Sequence, residues 1–441
     1  MDKADKMKEE FWSLIEYGGE YGIADAVRIF SRRGGGIGEG FGDGVILCTR
    51  RKLYEEAKAL AGYIKRVTGE ESPSVLLADG GMYDTALVTV ACSLFGGVLT
   101  LSETLPESTP ECSIMIAPHR PTCDSDESRP FLALGELNAV ILGELASECD
   151  AKNRECDAKI EVDAAKLCVR FLCAASERRI ESYTEAAAMR TARRYARAEG
   201  ILPWDVCFST LHPCSKEGFF GGLLAPMLYA KKWFYCGATR NVFEEMKLCA
   251  PTKLLCDCRL VRELSLEMKA LRSAPSAWQR GRGSHPIRLK LDRLFPRTRA
   301  ALRRLKMIYV HYPFGGRLSW VVTVGELDSE CTETLSTFGV ISSSLLSVDN
   351  CALAGFRRSG DREGFWRLPS RLFADMCNVG VGGIGTVTFF GDGLSESAPN
   401  GHTFKAGEFR EEFGSQYLLV SDLRGFSTRK GVFFVKKRDF S

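Results

Sequence analysis

The chain has 441 residues, 45% of them hydrophobic, 10% aromatic and 26% charged, room for two or three compact units or one large α/β unit. That apolar share excludes wholesale disorder, collagen-like repeats and a multispan membrane protein. Fifty-nine Lys and Arg against 56 Asp and Glu leave a formal charge of +3, which argues against a specific nucleic-acid binder.

Residues 34–44 hold seven glycines in eleven positions. A phosphate cradle needs a preceding strand, a following helix and, in a P-loop, Gly-Lys-Ser/Thr; this stretch reads as a flexible surface loop. Residues 52–67 predict an amphipathic helix, with Leu53, Ala57, Leu60, Ala61 and Ile64 at helical spacing. Residues 74–78 read as a buried strand reaching the loop Asp79-Gly80-Gly81. The 18 uncharged residues 85–102 reach the lower edge of a membrane-spanning length. Gly96-Gly97, bracketed by Asp84 and Glu103, instead predict a buried helix, a glycine turn and a short strand.

Strand-sized segments follow at 113–117, 139–142, 167–172, 232–236, 254–256 and 307–310, separated by helix-sized ones. Such alternation predicts a largely parallel sheet covered by helices. Past about Asn378 the texture changes, and 386–390, 417–420 and 432–435 predict a small antiparallel β-unit. Residues 380–385 match Gly-x-Gly-x-x-Gly, yet a strand follows and not the helix whose N-terminus would hold a pyrophosphate.

Cysteine is the oddity, 17 in all with no Cys-x-x-Cys pair, beside only five histidines. Zinc sites want paired ligands at short spacings, and disulfide frameworks belong to short secreted chains. Residues 1–10 are charged and lack the apolar stretch of a signal peptide. The thiols therefore read as reduced, cytoplasmic and mostly small core residues. Cys207, His212 and Cys214 form a weakly spaced candidate metal set, and His212, before Pro213, reads as a loop or core histidine. No Gly-x-Ser-x-Gly elbow occurs.

From Arg272 to Lys306 there are eleven Lys or Arg and one acid, Asp292. A second cluster holds Arg178, Arg179, Arg190, Arg193, Arg194 and Arg197. Solvated helix faces explain such runs; an anionic partner is the functional alternative. Trp278, Leu289, Leu291, Leu294 and Phe295 interleave with the first run, which suits peripheral contact with an anionic membrane surface.

The order of segments then resembles a known family. The predicted helix and strands from Leu53 to Leu101 are similar to the opening of AMP-forming acyl-CoA synthetases. Leu202-Pro203-Trp204-Asp205 through Leu211, with Gly221-Gly222-Leu223-Leu224-Ala225-Pro226, resembles that family's next block, and Ala250-Pro251-Thr252 its "PT" strand. Phe314-Gly315-Gly316-Arg317-Leu318, with the strand to Val324 and Gly325, resembles the long-chain fatty acyl branch. Tyr417 through Asp422, with Gly431 and Arg438, resembles the closing stretch. The likeness runs from about residue 11 to the end.

The resemblance implies attack of a carboxylate on the α-phosphate of ATP, giving an acyl-adenylate and pyrophosphate, then acyl transfer to coenzyme A. Such chemistry needs donors and Mg²⁺ at phosphorus. The family's Ser/Thr/Gly phosphate loop ending in Pro-Lys-Gly corresponds here to Phe171-Leu172-Cys173-Ala174-Ala175-Ser176-Glu177-Arg178-Arg179. The glycines are gone, Ser176 supplies the one hydroxyl, and Arg178 stands about where the lysine would be. The Tyr-Gly-x-Thr-Glu motif becomes Leu346-Ser347-Val348-Asp349-Asn350, so Asn350 replaces the magnesium-binding Glu and Asp349 is a lone carboxylate. The adenine-lining segment becomes Gly325-Glu326, and the histidine gating the acyl pocket aligns near Ser215. Asp422, the ribose binder, and its companion Arg438 survive.

The expected fold is thus α/β: the adenylate-forming N-terminal domain over 1–441, layered with largely parallel sheets over 1–378 and a small β-barrel-like unit over 379–441. The family continues past Arg438 into a mobile lid, and with the sequence ending at Ser441 that lid is expected to be absent. Together these losses predict no adenylation. The leading expectation is a cytoplasmic, long-chain acyl-CoA synthetase-like protein, catalytically degenerate, binding a fatty acid or acyl-CoA. ATP or AMP and Mg²⁺ are expected only with a working nucleotide site. An active ligase with atypical residues, and a peripheral membrane or scaffold protein, are the alternatives.

Overall fold

The structure, a computed structural model, describes residues 22–31, 36–41, 44–106, 110–120, 129–150, 168–172, 180–236, 241–273, 303–304, 307–348, 351–361, 366–369, 372–377, 385–391, 394, 407–412, 415–428 and 431–436. Its strands in chain order are β1 Gly36–Phe41, β2 Gly44–Thr49, β3 Ser74–Ala78, β4 Val98–Ser102, β5 Ile114–Ala117, β6 Phe131–Ala133, β7 Cys168–Leu172, β8 Ile180–Thr184, β9 Val206–Ser209 and β10 Lys232–Tyr235. They continue with β11 Lys253–Asp257, β12 Trp320–Val324, β13 Ile341–Val348, β14 Cys351–Arg358, β15 Leu372–Cys377, β16 Gly385–Gly391, β17 Gly407–Glu412, β18 Ser415–Thr428 and β19 Gly431–Lys436.

Three sheets result. One runs β14-β13-β12-β11-β9-β10-β1-β2, parallel except for its two edge hairpins. The second runs β6-β5-β3-β4-β7-β8, parallel except for β8. The third, β15-β16-β18-β17 with β19 on β18, is wholly antiparallel and already includes Leu372–Cys377. It joins the first through a small core containing Leu346, Cys351, Trp366, Val387 and Phe389.

Helices Ile23–Phe30, Arg50–Thr68, Met82–Phe95 and Glu185–Glu199 supply much of the largest core, together with the segment 218–229. Thr49 starts the second of these, its hydroxyl accepting from Lys52 N–H at 3.2 Å, and Gly69 ends it at φ +69°. Leu53, Ala57, Leu60, Ala61 and Ile64 form its buried stripe. Buried Arg50 donates from Nε to Met227 O at 2.7 Å and from Nη2 to Ala230 O, with its guanidinium 4.8 Å from the Trp233 ring centre. Met82–Phe95 is buried nearly all round, which explains why it carries no charge after Asp84 in its first turn. Among the described residues no helix is long and apolar enough to cross a membrane. A second helix layer, Val242–Cys249, Cys258–Ser273 and Ser329–Thr337, covers the other face of the first sheet.

Four sequence expectations are corrected. Residues 36–41 and 44 of the glycine-rich stretch pair within β1 and β2, and a Cβ on Gly36 would lie 2.0 Å from Cys48 O. The glycine there serves close strand approach. Residues 139–142 belong to helix Leu137–Asp150, with Leu137 and Ile141 buried and Leu142 exposed. Residues 308–311 are helical too; short apolar runs carry no period that separates strand from helix. Lastly, Arg193 and Arg194 are buried and not on a solvated face, since their helix is enclosed on most sides.

Candidate functional site

In α/β sheets ligands bind beyond the carboxyl ends of the strands. Here the carboxyl ends of the two parallel sheets are joined by residues 210–217, the segment after β9. The segment is shaped by Ser215, whose Oγ donates to His212 O at 2.6 Å and accepts from Gly218 N–H at 3.0 Å. It thereby caps the helical turn that opens at Lys216 and runs on into the π-helical turns Gly218–Leu224. Glycine is needed at 218, where a Cβ would lie 2.0 Å from His212 O. Ser215 is therefore a backbone cap in this structure.

Three side chains of the segment reach across to other elements. His212 Nδ1 accepts from Cys214 N–H at 3.2 Å, so Nε2 carries the proton and faces Asp79 Oδ1 at 3.4 Å. Asp79 directly follows β3 and adopts the left-handed conformation, φ +52°. The Cys214 thiol contacts Thr85 Oγ1 and Gly80 O, and burial pushes it up to about 12, which makes it a poor nucleophile. Glu103, after β4, has its carboxyl raised by desolvation, with His212 opposing and Glu217 adding to the shift.

The third, Lys216, makes the most consequential contacts. Its Nζ donates to both carboxylate oxygens of Glu181, at 2.9 and 3.0 Å, and to Val348 O at 3.0 Å. Glu181 lies on β8, two positions past Arg179; Val348 ends β13, one position before Asp349. One ammonium group thus ties together the strand ends that flank the phosphate-loop-like stretch and the adenine-motif-like stretch. Lys216 is 12% exposed and Glu181 5%. Tyr183 Oη also donates to Glu181 Oε2 at 3.1 Å.

Of the sequence candidates, Gly325 follows β12 at φ +89°, its N–H donating to Leu345 O at 2.9 Å. The charge of Glu326 is met by Arg357 on β14. Asp422 falls on β18 between the pairs Val387↔Val420 and Thr386↔Arg424, where the register shifts, and next to Leu423, which pairs with Lys436. Ser176, Arg178, Asp349, Asn350 and Arg438 lie outside the described residues. Of the basic stretch from Arg272 to Lys306, the structure describes 272–273 and 303–304. Among the described residues no group of three His, Cys, Asp or Glu is arranged to hold a metal.

Other resemblance-bearing residues build the frame. Thr252 Oγ1 donates to Asp205 Oδ1 at 2.8 Å and accepts from Val206 N–H at 3.0 Å, fixing the starts of β9 and β11. Phe314 is buried against Phe243, and a Cβ on Gly315 would lie 2.5 Å from Ala250 Cα. These residues pack the outer helix layer. Asp79, Glu181 and Lys216 escaped the sequence reading. Asp79-Gly80-Gly81 after a strand was a visible signal, whereas nothing local announces a partnership between positions 181 and 216.

No protein-family model matches the sequence, and no curated protein does. Solved structures match the fold. VinN superposes with a TM-score of 0.68 at 12% identity, over 94% of this chain and 98% of that one. A benzoate CoA ligase from Burkholderia xenovorans LB400 gives 0.62 at 15% identity, over 95% of this chain and 80% of that one. The N-terminal subdomain of Klebsiella oxytoca NpsA, in complex with 3-hydroxyanthranilyl-AMSN, gives 0.61 at 11% identity, over 94% and 100%. The fold is that of the N-terminal domain of adenylate-forming enzymes: α/β layers with two largely parallel sheets.

Proposed function

We propose that this chain is a catalytically degenerate acyl-CoA synthetase-like protein. In this reading it binds an acyl ligand, a fatty acid or acyl-CoA, at the junction of its two parallel sheets and acts as a binding or regulatory protein. The observation carrying the reading is the Lys216–Glu181 pair. A lysine at the mouth of the site has its charge met by an internal carboxylate, so less positive potential is left for a triphosphate. The sequence supports the same conclusion at 171–179, where the cradle glycines are absent, and at Asn350, a neutral residue in place of a Mg²⁺-binding carboxylate. Asp422 and Arg438 are the residues proposed to hold a ribose, and Phe314 to Leu318 suggest a long acyl chain.

The direct test is pyrophosphate release from ATP·Mg²⁺ in the presence of palmitate, benzoate or aspartate. The reading predicts release no faster than the acid-free control for each acid. Steady release dependent on any one of them would overturn it and name the substrate class.

A further inference from the structure

We infer that Lys216 is a binding point for a phosphate-class oxyanion, held closed in the free protein by Glu181 as a built-in counter-ion. This rests on the ligand-site reading above and adds to it which residue an anion would take and what it must displace.

The argument begins with cohesion. Phe171, Tyr183, Phe219 and Phe220 already pack here in mutual edge contacts, with ring centres 5.1–5.9 Å apart. That aromatic cluster joins β7 and β8 to the helix layer without help from charge. A buried ion pair adds little net stability over an apolar contact of the same size, because two desolvation costs offset the attraction. What a Lys–carboxylate pair offers, and an apolar contact does not, is exchange of partners.

The two partners are unequal. Glu181 is fixed on a strand and retains a second donor, the Tyr183 hydroxyl, at 3.1 Å. Lys216 opens the helical turn after Ser215, holds its charge at the end of a flexible four-carbon stem and keeps the larger exposure of the two. An incoming phosphate oxygen can therefore draw the ammonium group away while Val348 O and Tyr183 Oη keep their places. Burial pushes the nearby Cys351 thiol up to about 11, with Arg194 and Lys216 opposing the shift and Glu181 adding to it. Among the described residues, Glu181 is thus a negative charge that an anion meets there.

The test uses inorganic pyrophosphate as the probe, titrated calorimetrically into the full chain at low ionic strength. Glu181→Gln keeps the shape and removes the charge, and is expected to bind pyrophosphate about tenfold tighter than wild type, the scale of one like-charge contact removed. The double variant E181Q/K216M is expected to lose that gain. Equal affinity of E181Q and wild type, or a gain that survives K216M, would overturn the proposal. Should E181Q be unfolded in dilute buffer, recovery of its near-ultraviolet dichroism by pyrophosphate supports the latch, and no recovery overturns it. Wild-type binding of AMP or acyl-CoA tests the ligand-site reading separately, so the two ideas fail independently.

Discussion

His212 and Asp79, 133 positions apart, meet between the two parallel sheets with Nε2 3.4 Å from Oδ1. The contact anchors one end of the turn whose other end carries Lys216. It joins an element of each sheet, so the relative placement of the sheets sets the shape of the site.

Asp79 holds this contact from a left-handed backbone, φ +52°. That conformation costs a non-glycine residue roughly 1–2 kcal/mol, and an exposed pair of this kind returns about 0–1 kcal/mol. Asp79→Ala keeps the backbone cost and loses the pair; Asp79→Gly loses both. Urea denaturation should find D79A less stable than D79G by about 1 kcal/mol. Equal stabilities would contradict the strained assignment.

A second prediction concerns pH. Glu199, 2% exposed, has no hydrogen-bond partner for Oε1 among the described residues and lines a cavity of about 10 Å³, room for one water. Burial pushes its carboxyl well above the ordinary range, with Lys253 opposing. The folded state therefore keeps a proton that the unfolded chain releases. A raised carboxyl pKa leaves stability intact below the ordinary value and erodes it as pH climbs towards the folded value. Glu199→Gln is neutral at every pH and escapes that erosion, so its stability relative to wild type should rise between about pH 5 and about pH 8. A difference that stays flat across that range would show that Glu199 ionises normally.

How much of this was legible in the sequence depends on the range of the interactions involved. The helix 50–68 and the helix–turn–strand of 82–102 were readable because their burial is written as a local period or as an unbroken uncharged run. The β1–β2 hairpin was not, since the need for Gly36 arises from Cys48 on the partner strand. Segment 139–142 was misread because four apolar residues fit both periods. Asp422 and Gly325 were proposed as site residues from order and spacing along the chain. Lys216 with Glu181, and His212 with Asp79, pair residues brought together only by the stacking of two sheets, which leaves no local signature. Phe314 to Leu318 was readable as a motif, while its packing role beside Ala250 emerged from the fold.

The central claim is that the site binds a ligand of the adenylate-forming fold without the means to activate it. Calorimetric titration of the wild-type chain with AMP, ATP·Mg²⁺ and a long-chain acyl-CoA tests this most directly. The account predicts a saturable heat with acyl-CoA and none attributable to ATP·Mg²⁺. Tight ATP·Mg²⁺ binding, or no binding of acyl-CoA at all, would contradict it.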